Sequence, residues 1–350
     1  MKIKRLLHLP VIMFMLFPVM PQTGTQKQRI SVMVSDAERK VDILFGGKLF
    51  ASYIYPETLE KPILYPVMTA SGTVITRGFP LQPRPGERID HPHHVGWWLN
   101  YGDVNGLDFW NNSYAIPDSE KPKYGSIRHI KVLKAESGME SAILMVKCQW
   151  VDNAGDPLLD EVTSFTFTGD QLRRRIVRTT TLTALNREVV FGDSKEGMCA
   201  IRVDRAFETP SETPEVFTDA AGNPTTVPAL NNEGVNGEYR SSEGLEKDAV
   251  WGTRARWVSL SAEKNGEKIS ICLFDHPDNP GYPAYWHARG YGLFAVNNIG
   301  RKSYNNSEPV NSLIVKMGHS VTFKHMLLIR SGGFETAAEM DREAADFAKE

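Results

Sequence analysis

The sequence predicts an all-β chain, a large antiparallel β-sandwich closed by one C-terminal helix. Apolar residues alternate with period two from Ile30 onward, and Gly, Asn and Asp punctuate the runs at hairpin spacing. Only the last stretch, from Glu335, reads with helical period.

In chain order, Val41 to Phe45 and Leu49 to Tyr55 flank Gly46-Gly47 and form the first expected hairpin. Ser141 to Val151 and Leu159 to Thr168 flank N-A-G-D, and Gly169-Asp170 leads into Leu172 to Thr183. Leu144, Val146, Cys148 and Trp150 alternate onto one face, which places Cys148 in the core. Arg173, Arg174, Arg175 and Arg178 give the next strand a polar character, as on a solvated strand or one lining a polar cleft. Trp257 to Ala262 and Ile269 to Phe274 flank Asn265-Gly266, the strongest hairpin signal present. Residues 207–247 lose periodicity and read as an elaborated loop within a single domain, 26–350. The terminal helix offers Ala338, Met340, Ala344 and Phe347 as a docking stripe.

The first residues combine Lys2, Lys4 and Arg5 with a short apolar run ending near Met20, the layout of a secretory signal over 1–25. Export to the periplasm or beyond is expected, and no later apolar run is long enough to span a bilayer. A net charge of -2, from 40 basic and 42 acidic residues, provides no global field for nucleic acid. Three cysteines form no disulfide framework and no C-x-x-C motif.

Chemistry concentrates in four segments. G-E-R-I-D-H-P-H-H-V-G-W-W holds His91, His93, His94 and Trp97, and G-D-V-N-G-L-D-F-W follows with Asp103 and Asn105. G-D-S-K-E-G-M carries Lys195 and Glu196, with Arg202 just beyond. D-H-P-D-N-P-G-Y-P supplies His276, and Y-W-H-A-R-G-Y-G-L-F supplies Trp286, His287 and Arg289. Imidazoles and carboxylates on glycine- and proline-rich loops suit proton transfer, and indoles beside Arg and Asn suit stacking on and bonding to a polyol. Glu196 is the expected base and His93 or His287 the acid. His91, Trp97, Asp103, Asn105, Lys195, Arg202, His276, Trp286 and Arg289 are the expected substrate contacts, with a small-molecule carbohydrate as partner and no cofactor. The alternative use of His91, His93, His94, His276 and His287 is as ligands to a divalent metal ion. A third reading is sugar binding without catalysis. Walker A, G-x-S-x-G and H-E-x-x-H motifs are absent.

D-H-P-H-H-x-G-W-W, G-D-V-N-G-x-D-F-W, K-E-G and Y-W-H-A-R-x-Y-G-L-F, in that order, resemble an exported bacterial family carried under the label methane oxygenase PmoA. The resemblance spans nearly the whole mature chain. It implies a β-sandwich like that of galactose mutarotase and a place among proteins encoded beside sugar-degrading and sugar-oxidising enzymes. The label itself implies a metal-dependent oxygenase.

Overall fold

Alternating side chains need two buried surfaces, and the chain provides them by stacking two antiparallel sheets. The computed structural model describes residues 28–350; the expected signal over 1–25 falls outside the described residues. The first eight-stranded sheet runs in the order Ile30–Ser35, Lys40–Phe45, Lys48–Ile54, Ile63–Val67, Trp97–Tyr101, Gly197–Arg202, Leu293–Asn297, Tyr285–Arg289. The second runs Glu238–Ser241, Trp257–Lys264, Glu267–Asp275, Ser320–Ser331, Arg173–Ala184, Pro157–Gly169, Ala142–Val151, Ser126–Glu136. A two-stranded piece pairs Val189–Phe191 with Leu313–Val315.

The expected hairpins form. Asn265, at φ 54°, and Gly266, at φ 79°, turn Trp257–Lys264 back onto Glu267–Asp275, as a two-residue turn with both central residues left-handed requires. Between the sheets lies the main core, with Trp97, Leu99, Phe165, Leu182, Val258 and Trp286 all buried. Cys148 sits there too, and all three cysteines are free and buried. Among the described residues no helix is long and apolar enough to cross a membrane.

The outer faces of both sheets are also covered. On the second sheet the helix Ala337–Phe347 buries Met340 and Phe347 against Trp257, Phe274, Met326 and Leu328. Thr336 caps it, its side chain accepting from the Glu339 N–H while the Glu339 carboxylate accepts from the Thr336 N–H. The helix therefore starts at Ala337, and Ala337 rather than Ala338 joins the docking stripe. In the arginine-rich strand Arg174 and Arg178 are buried, and Arg173 and Arg175 are half-buried. Arg173 pairs with Glu335 at 2.9 Å and Glu343 at 3.0 Å, clamping the helix region, while Arg178 turns inward to Glu161 at 3.2 Å.

On the first sheet the cover is made of loops. Residues 208–237 are irregular, as expected of 207–247, but Glu238–Ser241 within that span adds an edge strand to the second sheet. The loop docks on the 84–90 segment: Ile89 N–H donates to the Val216 carbonyl at 3.2 Å, and Glu87 N–H to Thr218 Oγ1 at 3.0 Å.

Candidate functional site

Strand alternation decides which residues of the motifs reach the outer face of the first sheet. In Trp97–Tyr101, Trp97, Leu99 and Tyr101 enter the main core, whereas Trp98 faces outward and its Nε1 donates to Asn100 Oδ1 at 2.9 Å. In Tyr285–Arg289, Trp286 and Ala288 go inward, so His287 and Arg289 stand on the outer face. The register aligns Trp98, Ala200, Ala295 and His287 across four strands. Two alanines at the centre of that row leave a low floor between an indole and an imidazole. In an adjacent row, Arg202 and Arg289 flank Leu293.

The 88–94 loop crosses this face and is nailed down by a buried guanidinium. Arg77, 1% exposed, donates to the carbonyls of Arg88 (3.3 Å), Asp90 (2.8 Å), His91 (2.9 Å) and His94 (3.0 Å), and to Asp90 Oδ1 at 2.8 Å. Arg202 reaches the same carboxylate oxygen at 2.7 Å. Burial works against ionisation of Asp90, but Arg202, the His91 hydrogen bond and Arg77 outweigh it and hold the carboxyl well below the usual range. Its other oxygen lies 2.6 Å from His91 Nδ1. His91 adopts φ 45°, a left-handed conformation that a non-glycine residue keeps only where its surroundings demand it. Its ring lies parallel to those of His94 (4.8 Å between centroids) and Tyr291 (4.9 Å), and its side chain remains 40% exposed.

The other imidazoles behave differently. Burial, helped by nearby Lys61 and His91, pushes His93 down to about 2, and burial likewise carries His94 well below its ordinary value. His287 is pushed down to about 3 by burial, Arg289 and Lys195. Its Nδ1 faces the Lys195 carbonyl at 3.1 Å and its Nε2 faces Arg289 Nε at 3.3 Å. A carbonyl only accepts and an arginine only donates, so the ring is the neutral tautomer with its proton on Nδ1. Both His93 and His287 are neutral at neutral pH in this setting, whereas an imidazolium acid, the role expected of them, carries its proton there.

Glu196 sits beside His287, Oε2 to Nδ1 3.7 Å, and its Oε1 accepts from Lys195 Nζ at 2.6 Å. Its backbone carbonyl accepts from Gly102 N–H at 2.7 Å, tying this loop to the end of Trp97–Tyr101. Tyr291, whose ring covers His91, has its hydroxyl pushed up to about 12 by burial against the pull of Arg202 and Arg289, with Asp90 and Glu196 adding to the rise. A cleft of about 510 Å3 opens alongside, bounded by Arg88, Glu215, Asp248, Trp251, Arg289 and Tyr291.

The structure thus gathers His91, His93, His94, Lys195, Glu196, Arg202, His287 and Arg289 on or behind one face and sends five other expected residues elsewhere. Trp97 and Trp286 are fully buried between the sheets, and Trp286 Nε1 donates to the Ala255 carbonyl. Asp103 Oδ1 accepts from Gly106 N–H at 3.0 Å in a turn, and Asn105 Oδ1 accepts from Val190 N–H at 2.8 Å, so both serve local architecture. His276 packs edge-on against Phe347 at 4.9 Å under the terminal helix, at the second sheet. His276 therefore cannot join the 91–94 histidines. His93 Nε2 and His94 Nε2 are buried without partners, but no group of three or more His, Cys, Asp or Glu among the described residues is arranged to hold a metal ion.

Asp90 and Tyr291 lie inside the expected motifs without having been singled out for a role. Trp251 follows the irregular segment, and Arg77 acts through backbone carbonyls, which leave no residue-type signature.

The chain belongs to the family of unknown function DUF6807, whose model matches residues 40–345. That description carries no activity, and the oxygenase label of the resembling family is not confirmed by it. No curated protein matches the chain. Among solved structures it is similar to a galactose mutarotase-like protein from Clostridium acetobutylicum, at 11% identity over 87% of this chain and 98% of that one, TM-score 0.38. It is also similar to the GH36 alpha-galactosidase AgaA from Geobacillus stearothermophilus (9% identity, 87% of this chain and 40% of that one, TM-score 0.39). A third is heparan sulfate lyase HepC from Pedobacter heparinus (9% identity, 89% and 36%, TM-score 0.36).

Proposed function

We propose that this chain is an exported carbohydrate-active enzyme of epimerase, lyase or hydrolase type that works by acid–base catalysis with Glu196 and His91. The observation that carries the reading is that two differently supported titratable groups stand on the outer face of the first sheet, His91 stacked on Tyr291 and Glu196 beside His287. His91 is half-exposed and oriented through Nδ1 by a carboxylate that two buried arginines keep ionised. Glu196 is set beside Lys195 and the neutral His287. One group can take a proton while the other gives one, and an oriented imidazole backed by a carboxylate is suited to either direction. The Trp251 and Tyr291 rings, with Asp248 and Arg289, offer the mixed apolar and hydrogen-bonding walls that a sugar ring needs.

The test is to incubate the full chain with neutral and acidic sugars and their glycosides and follow each by NMR. Glu196→Gln and His91→Asn are each expected to lower turnover by about 10² to 10⁴ while leaving the unfolding temperature near that of the parent. Full turnover in Glu196→Gln would overturn its role. Binding without turnover by the parent would leave a sugar-binding protein instead.

A further inference from the structure

The arginines around the site are almost all matched. Arg77 and Arg202 share Asp90, Arg88 holds Glu208 at 2.7 Å and Glu215 at 2.9 Å, and Arg84 holds Glu87 and Asp204. Arg289 differs: it makes no ion pair with any described carboxylate. Its side-chain hydrogen bond is the one from Nε to His287 Nε2, and its guanidinium lies over the Trp251 ring at 4.5 Å. Those two contacts hold the group in place yet leave both terminal nitrogens uncommitted on the wall of the 510 Å3 cleft. The following residue, Gly290, is needed there, because a Cβ would meet Thr209 Oγ1 at 2.2 Å. Asp248 lines the same cleft, likewise without an ion pair among the described residues.

A guanidinium held over an indole, with its terminal nitrogens free, matches the two oxygens of a carboxylate in a bidentate pair. We propose that Arg289 is a carboxylate-recognising subsite and that the substrates are acidic sugars, of the uronic acid class, whose hydroxyls are shared with Asp248. This rests on the carbohydrate reading above and narrows it. His287 then has a defined part as a positioning residue: its Nδ1 is anchored on the Lys195 carbonyl, so its Nε2 lone pair aims Arg289 at the ligand.

Isothermal titration of the full chain with galacturonate, galactose, glucuronate, glucose and acetate, repeated with Arg289→Gln and Arg289→Lys, tests this. The parent is expected to bind a uronate at least about tenfold more tightly than the matching neutral sugar, a difference near 1.4 kcal/mol. Arg289→Gln should abolish that preference, and Arg289→Lys should retain part of it. If Arg289→Gln does not fold, the Lys variant and the parent's own selectivity still decide. Equal or better binding of the neutral sugars overturns the acidic class and leaves the carbohydrate reading standing. Acetate binding as tightly as the uronates, dependent on Arg289, keeps the anion subsite and overturns the carbohydrate reading. No binding of any of the five overturns both.

Discussion

At the scale of single residues, the 91–94 loop owes its shape to two cations of opposite strategy. Arg77 is charged, buried and saturated with carbonyl and carboxylate acceptors. Lys61 is equally buried but has one strong acceptor, the His93 carbonyl at 2.8 Å, with the Trp98 ring 5.3 Å away. Burial pushes Lys61 down to about 7, against weaker help from Glu60 and Asp108. Between pH 7 and the ordinary lysine value the unfolded chain binds a proton there that the folded chain does not, so stability rises with pH across that window. Below pH 7 the penalty is fully present. Lys61→Met is expected to flatten a rise of up to roughly 4 kcal/mol between pH 7 and 10, measurable by urea unfolding at a series of pH values. Parallel curves for parent and variant would show that Lys61 keeps its proton. Asp90 has the opposite sign: its depressed carboxyl contributes stability above about pH 4 that is lost as acid protonates it. Asp90→Asn leaves Arg77 and Arg202 facing each other uncompensated, and a loss of about 3 kcal/mol is expected together with loss of His91-dependent turnover.

At the scale of elements, the terminal helix is a lid on the second sheet, held by apolar docking and arginine clamps. Phe347 is 1% exposed and touches the His276 ring. Phe347→Ala is expected to cost about 3 to 5 kcal/mol, whereas Arg175→Ala, which removes a partly exposed pair with Glu350, should cost under about 1 kcal/mol. Thermal melts of the two variants that shift alike would refute the idea that packing rather than charge holds the helix. This helix was legible in the sequence because its period is local; so were the hairpins, whose Asn-Gly and Gly-Gly turns state their own geometry. Legibility failed wherever the decision belonged to a facing layer. Trp286 and His287 are neighbours in one motif, yet strand alternation sends the first into the core and the second to the site. His276 sits in a loop as rich in Gly and Pro as that of His91, but it leaves the second sheet rather than the first. Composition marks a loop as chemically loaded without saying on which end of the molecule it emerges.

At the scale of the whole molecule, the two sheets share a core that is not wholly apolar. Glu161 and Arg178, 3% and 6% exposed, pair at 3.2 Å between the layers. The carboxylate also accepts from Trp150 Nε1 at 2.7 Å and Thr163 Oγ1 at 2.6 Å, and Arg178 Nε donates to Thr180 Oγ1 at 3.0 Å. Every member comes from three adjacent strands of the second sheet, and the group lies under Tyr53, Leu99 and Leu64 of the first. The network therefore fixes how the layers are offset, because sliding one sheet over the other would leave buried charges beneath apolar residues with no room to re-pair. Removing one member strands the other: Glu161→Met and Arg178→Met are each expected to cost about 3 to 5 kcal/mol. The double change to methionine at both positions should recover a large part of that, since two apolar side chains of similar volume avoid the desolvation that the pair had to offset. Equilibrium urea unfolding of the four proteins gives the coupling directly. A double variant whose loss equals the sum of the single losses would mean that Glu161 and Arg178 act independently, and the offset of the sheets would then rest on apolar packing alone.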